Sequence, residues 1–287
     1  MVKMQFDLSD AEQTPVFKFM LESIRDFVVC LLNHGYDNGI SGDFTVRLCP
    51  MFSDKIALNG YNIIQIDSSF LKKIIISTNY ICDEVREMTD VSLKTLFDGI
   101  EDKKKAFVER LLDVDNEWKA LEERYKTHMP EENMNVILGC IEFFIMHEIT
   151  HSIYRDKGLD PKDEELKCDN SAAQIVKKLI QGALLNKDMT AAKNMFLGSL
   201  VACFHLAEVV LEDTDVERDS DTHPPSYQRT SAVIDELESL FPPDAFYSLP
   251  LYYFALIYRC NCEEILKQEY SYKDALDAIL KNTAKDK

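Results

Sequence analysis

The segment IEFFIMHEITHSIY carries two histidines four residues apart, His147 and His151, with Glu148 directly after the first. On a helix, side chains at i and i+4 stand one above the other, so both imidazoles can present a nitrogen to one divalent ion. Glu148 falls on the adjoining edge, placed to reach a water on that ion rather than the ion itself. The chemistry implied is hydrolysis by a metal-activated water, with the glutamate as general base. Three fixed positions in five recur by chance in roughly one chain in a hundred, so the surroundings matter. Residues 136–149 are almost continuously apolar, which predicts a buried helix. Two imidazoles and a carboxylate buried without partners are very unfavourable, and a divalent cation removes that cost. The competing reading, two satisfied core histidines beside an exposed glutamate, needs each ring to find its own partner.

A structural zinc site is usually closed by Cys or His, whereas a catalytic one has three protein ligands and one position left for water. The third ligand is therefore the test. After the turn RDKGLDPKD comes EELKCDNSAA, where Glu165, Asp169 and Ala172 share one helical stripe. Glu165 is expected to complete a His2Glu site for one Zn2+ per chain. Asp169, one turn on, is expected to accept a hydrogen bond from the far nitrogen of a ligating histidine, and Ala172 to let two helices approach. Glu164 is the competing ligand, pointing about 100° away. Acidic residues at a helix start commonly serve only the helix dipole, and the motif upstream favours ligation here.

Three segments in order, HEITH (147–151), ELKCD (165–169) with Ala172, and THPPSYQR (222–229), resemble the glutamate zincins. The likeness is to the CAAX-prenyl-protease and heat-shock-protease clan and to phage-exclusion peptidases, and covers about residues 56–230. It implies a zincin-like core and a zinc-dependent endopeptidase acting on protein or peptide substrates. It further implies that His223 stabilises the oxyanion or binds the substrate carbonyl and that Arg229 braces the site. The strand in YNIIQIDSSFL resembles the one that receives substrate backbone, which assigns substrate binding to Asn62, Ile63, Ile64, Gln65 and Ile66. In the expected mechanism Glu148 takes the proton of the attacking water and returns it to the leaving amine. The alternative is a catalytically silent, zincin-like regulatory or peptide-binding protein. Defence or stress-linked proteolysis is suggested by the resemblance alone.

Around these residues the pattern predicts a mainly helical α+β fold, with a small N-terminal sheet or hairpin and a surrounding helical bundle about the zincin-like core that the resemblance implies. Helices are expected over 14–34, 71–88, 91–127, 130–155, 161–185, 190–212, 226–240 and 251–281. Strands are expected in FTVRLCP and in KIALNGYNIIQID, the latter turning at Asn59-Gly60. The expected division is 1–55, a helical and strand segment; 56–240, the peptidase core; and 241–287, a C-terminal helix packed on it, within one compact unit. Of 287 residues 46% are hydrophobic, enough for a sizeable core, and 50 acidic against 32 basic residues give a net charge of -18. That charge repels phosphate backbones, so nucleic acid is not an expected partner. The apolar run at 195–211 contains His205 and Glu208 and is slightly short of a span, so it is expected in the core rather than in a membrane. The N-terminus shows no apolar leader, the eight cysteines are scattered without a CxxC pair, and the expected location is the cytoplasm, with reduced thiols. The CNC pair, Cys260 and Cys262, is expected to be structural, and His34, His128 and His205 have no metal-ligand spacing. Oligomeric state is not legible.

Overall fold

Ile64 and Ile66 alternate with half-buried Ile63 and Gln65, the period-two pattern of a strand with one face on the core. In the computed structural model this strand belongs to a four-stranded sheet. The structure describes residues 3–7, 22, 43–49, 56–60, 62–88, 90–125, 129–206, 223–240, 242–258 and 260–285. The strands are β1 (Lys3–Asp7), β2 (Asp43–Cys49), β3 (Ile56–Leu58) and β4 (Ile63–Asp67), in the spatial order β1-β2-β4-β3. β1 and β2 are parallel, as are β2 and β4, while β3 runs antiparallel to β4. β1 escapes sequence reading because five residues of mixed polarity become a strand only by pairing with a partner some forty positions away.

This order corrects one expectation. β4 is paired on both sides, with β2 and β3, so residues 62–66 offer no open backbone edge to a substrate. The edge beside β4 is β3. The hairpin joining them also differs from a two-residue Asn-Gly turn. Asn62 N donates to Asn59 O (3.2 Å), Asn59 N to Ile63 O (2.9 Å), and Ile63 N to Asn59 Oδ1 (3.1 Å). The left-handed position is Asn62, at φ 57°, and asparagine is among the few residues that tolerate it.

The described helices are α1 (Ser68–Glu87), α2 (Leu93–Phe97), α3 (Ile100–Leu112), α4 (Val114–Arg124), α5 (Glu131–Tyr154), α6 (Pro161–Leu185), α7 (Met189–Leu206), α8 (Ser226–Glu238), α9 (Ser248–Ile257), α10 (Cys262–Lys267) and α11 (Tyr272–Lys285). A short 3-10 turn, Asp244–Tyr247, precedes α9. The fold is thus a mainly helical α+β structure. The helix expected over 14–34 lies outside the described residues, residue 22 apart, which is helical. So does the end of the helix expected over 190–212.

Two expected helices are interrupted. The 91–127 stretch divides at Gly99, whose φ of 64° no continuing helix accepts, and again at Asp113. Its apolar spacing hid the breaks, because Phe97, Ile100, Phe107, Leu111 and Trp118 are all buried. The 251–281 stretch starts earlier, at Ser248, and divides into three. Asn261 Oδ1 accepts from Glu264 N (3.2 Å) and Ser271 Oγ from Asp274 N (3.1 Å), each capping a new helix.

Helix α5 forms the centre of the molecule. By length and composition it could cross a bilayer, yet 72% of its apolar window is buried inside the structure. It packs on α7 without intervening side chains at Gly139 and Gly198: a Cβ built on Gly198 would lie 2.5 Å from Gly139 C. The 195–203 part of the apolar run is likewise core, with Phe196, Leu197, Leu200, Val201, Ala202 and Cys203 buried. One hydrophobic cluster continues from Phe44 in β2 to Leu280 in α11.

Candidate metal centre

α5 ends at Tyr154, and the turn to α6 is tight. Gly158 supplies a left-handed φ of 64°, Asp160 Oδ1 accepts from Lys162 N (2.9 Å) to cap α6, and Pro161 sits in the first turn. The first two turns of α6 are thereby folded back onto the last two turns of α5, which sets carboxylates opposite imidazoles.

His147 Nε2 and His151 Nε2 lie 3.2 Å apart. Both carboxylate oxygens of Glu165 face them, Oε2 3.3 Å from His147 Nε2 and Oε1 3.4 Å from His151 Nε2. These three side chains form a group that could hold a metal ion, and among the described residues no fourth ligand joins it. The opposite ring nitrogens each meet a different carboxylate: His147 Nδ1 is 2.9 Å from Asp169 Oδ1, and His151 Nδ1 is 2.9 Å from Glu164 Oε1. Glu164, weighed in sequence as a rival to Glu165, stands behind the second histidine instead. Its position depends on how α6 crosses α5, which no local spacing reveals.

Arg229, on α8, joins the group from a third element. Its Nε donates to Asp169 Oδ2 (2.6 Å) and its Nη2 to Asp169 Oδ1 (2.9 Å), with Nη2 also 3.0 Å from Glu165 Oε2. Arg229, Asp169 and His147 are all buried, so their charges face one another rather than solvent, although His147 Nδ1, close to Asp169 Oδ1, does not meet it in hydrogen-bonding geometry. His223, just before α8, is at the rim: its side chain is 47% exposed and its Nε2 is 3.6 Å from Glu165 Oε1. Glu148 is buried, and its Oε2 accepts a 2.7 Å hydrogen bond from Leu58 N on β3. Arg155 donates from Nη2 to Leu58 O (3.2 Å) and from Nη1 to Asn59 O (3.1 Å). Neither contact to the β3 end was legible in the sequence, since both link positions some ninety residues apart. Asn62, Ile63, Ile64, Gln65 and Ile66 take no part in the cluster; Ile64 and Ile66 are fully buried in the core.

The electrostatics follow from this packing. Burial opposes a charged His147 ring, but the Asp169 and Glu165 carboxylates prevail and lift its pKa to about 10. Burial also works against charge on Glu165, and His147 and Arg229 override it, pulling the carboxyl down to about 2. Asp169 is held well below the usual carboxylate range, where Arg229 and His147 overcome its burial. Glu148 moves the other way: burial raises it, while the two histidines and the Leu58 N–H pull back. The site thus pairs stably ionised carboxylates with one carboxyl shifted toward neutrality, the separation that hydrolytic acid–base chemistry uses. The thiols nearby are free and buried, among them Cys168 in α6.

Imidazoles from α5 and carboxylates from α6 converging on one point, beside the edge of a small sheet, describe a hydrolase with a candidate metal centre. The chain belongs to the Peptidase U49 family, whose model matches residues 62–248 and so includes every residue of the cluster. It is therefore a peptidase, and its substrates are proteins or peptides. No curated protein and no solved structure matches the chain.

Proposed function

We propose that this peptidase is a zinc-dependent endopeptidase of the glutamate-zincin type, with His147, His151 and Glu165 as metal ligands and Glu148 as general base. The observation that carries this reading is that ligand atoms of His147, His151 and Glu165 lie within 4.8 Å of one another, the two Nε2 atoms 3.2 Å apart and one Glu165 oxygen beside each of them, at 3.3 and 3.4 Å. Bonds of about 2.0–2.1 Å directed to the corners of a tetrahedron place donors about 3.3 Å apart. The carboxylates at both Nδ1 atoms support the same reading, because they fix each ring with Nε2 turned inward. When bound, zinc supplies Lewis acidity, acidifying water and polarising a carbonyl. Glu148 accepts the proton of the attacking water and delivers it to the leaving amine. His223, exposed at the rim, binds the developing oxyanion, and Arg229 holds Glu165 and Asp169 in place. The substrate lies extended along the β3 edge, adding a strand there. A cytoplasmic location is part of the proposal, checked by cell fractionation.

The test is Glu148→Gln. The variant keeps about one zinc per chain by metal analysis and loses at least about 10³-fold in cleavage of an unstructured protein substrate such as casein. Wild-type protein that neither binds zinc nor gains activity from it would reject the reading.

A further inference from the structure

This inference rests on the proposed roles of Glu148 and the β3 edge. In the β3–β4 hairpin, Asn59 N bonds to Ile63 O, so the next pair along, Leu58 with Ile64, is the non-hydrogen-bonded kind. The N–H and C=O of Leu58 therefore point away from β4, toward the open edge. Both are held by the same helix. Glu148 takes the N–H at 2.7 Å, and Arg155, two turns further along α5, takes the C=O at 3.2 Å. The second arm of the guanidinium reaches Asn59 O at 3.1 Å. One residue of a three-residue strand is thus gripped from its donor side by the proposed base and from its acceptor side by an arginine. A carbonyl oxygen has two lone pairs, so the arginine leaves Leu58 O able to accept a second N–H.

We infer that Arg155 is a positioning residue: its fork fixes the outward face of β3 against α5, so that the Leu58 carbonyl is aimed to receive a backbone N–H of the peptide substrate beside Glu148. A basic side chain at the C-terminus of α5 also interacts favourably with the helix dipole. Lysine preserves that interaction, but its ammonium is a point charge without the rigid fork that spans two carbonyls. The Arg155→Lys variant therefore separates positioning from simple helix capping.

The experiment compares wild type, Arg155→Ala and Arg155→Lys as zinc-loaded full chains on one fluorogenic peptide, together with amide hydrogen exchange. Expected for Arg155→Ala are a KM raised about tenfold, kcat within about threefold, unchanged zinc content, and faster exchange confined to residues 57–60. Arg155→Lys restores thermal stability but less than half of the KM change on a logarithmic scale. Wild-type KM in Arg155→Ala, full recovery by lysine, or a loss in kcat alone overturns the inference. If wild type cleaves nothing, the zinc-peptidase reading fails by itself, and hydrogen exchange still judges Arg155: equal protection of residues 57–60 with and without the guanidinium overturns it.

Discussion

At the scale of residues, the centre is a chain of charges in which each partner justifies the next. His147 faces Glu165 with one nitrogen and Asp169 with the other, and Arg229 neutralises both carboxylates. Asp169 is fully buried and its pairing holds it ionised. Asp169→Asn removes that charge, frees the His147 ring to rotate and leaves Arg229 leaning on Glu165 alone. Zinc affinity is expected to fall about 10- to 100-fold, and stability by about 3 kcal/mol because a buried cation loses its main partner. A chelator-competition titration and urea unfolding measure the two effects. The histidine pair was legible because helical spacing is a local property. That Glu165 rather than Glu164 faces the pair was legible from the helical stripe it shares with Asp169, whereas the place of Glu164 behind His151 Nδ1 was not, since it depends on how the two helices cross.

At the scale of elements, the helix that carries both histidines is held by its neighbours more than by its own propensity. α5 carries no side-chain cap at its N-terminus and is apolar around nearly its whole circumference. Its depth is set where Gly139 meets Gly198 on α7, with no room for a Cβ on the latter. Gly198→Ala therefore forces the two helices apart, with an expected loss of about 2–3 kcal/mol. Because the displaced helix carries both histidines, zinc affinity should fall in the same variant. Chemical denaturation and metal titration of the Gly198→Ala protein test this; wild-type values for both would show that the crossing relaxes without cost. Glycine spacing in one helix alone could not reveal the contact, because neither glycine is unusual until the two helices are laid together. The breaks at Gly99, Asn261 and Ser271 were written in the sequence as helix-ending and capping residues, but continuous apolar spacing outweighed them.

At the scale of the whole molecule, the buried ionisable groups make stability depend on pH. His147, raised to about 10, contributes stability that is full below its unfolded value of about 6.5 and lost as pH rises through 10. Glu142, raised to about 8 by burial, acts in the same direction, its contribution full below about 4.5 and lost as pH rises to 8. Glu165, lowered to about 2, contributes stability present above about 4.5 and lost as pH falls through 2. Metal-free protein is therefore expected to be most stable near about pH 4.5, losing stability first as pH rises toward 8 through Glu142 and then toward 10 through His147. Urea unfolding at a series of pH values in the presence of chelator checks this. Zinc bound as proposed is expected to reverse the alkaline trend, since ligation requires the neutral ring and stabilises whichever state binds it.

The sequence by itself determined the helical α+β class, the motif helix, the two imidazoles and the carboxylate stripe that follows them, because helical periodicity and burial patterning act over a few residues. It also held, through Pro161 and the acidic first turn, the start of the helix that returns across the site. Only the tertiary structure decided that β4 is interior and β3 the edge, that Glu164 supports His151, and that Arg155 and Glu148 grip Leu58. Strand order and helix crossing are set by contacts between distant segments, and the energy that selects them belongs to the packed whole.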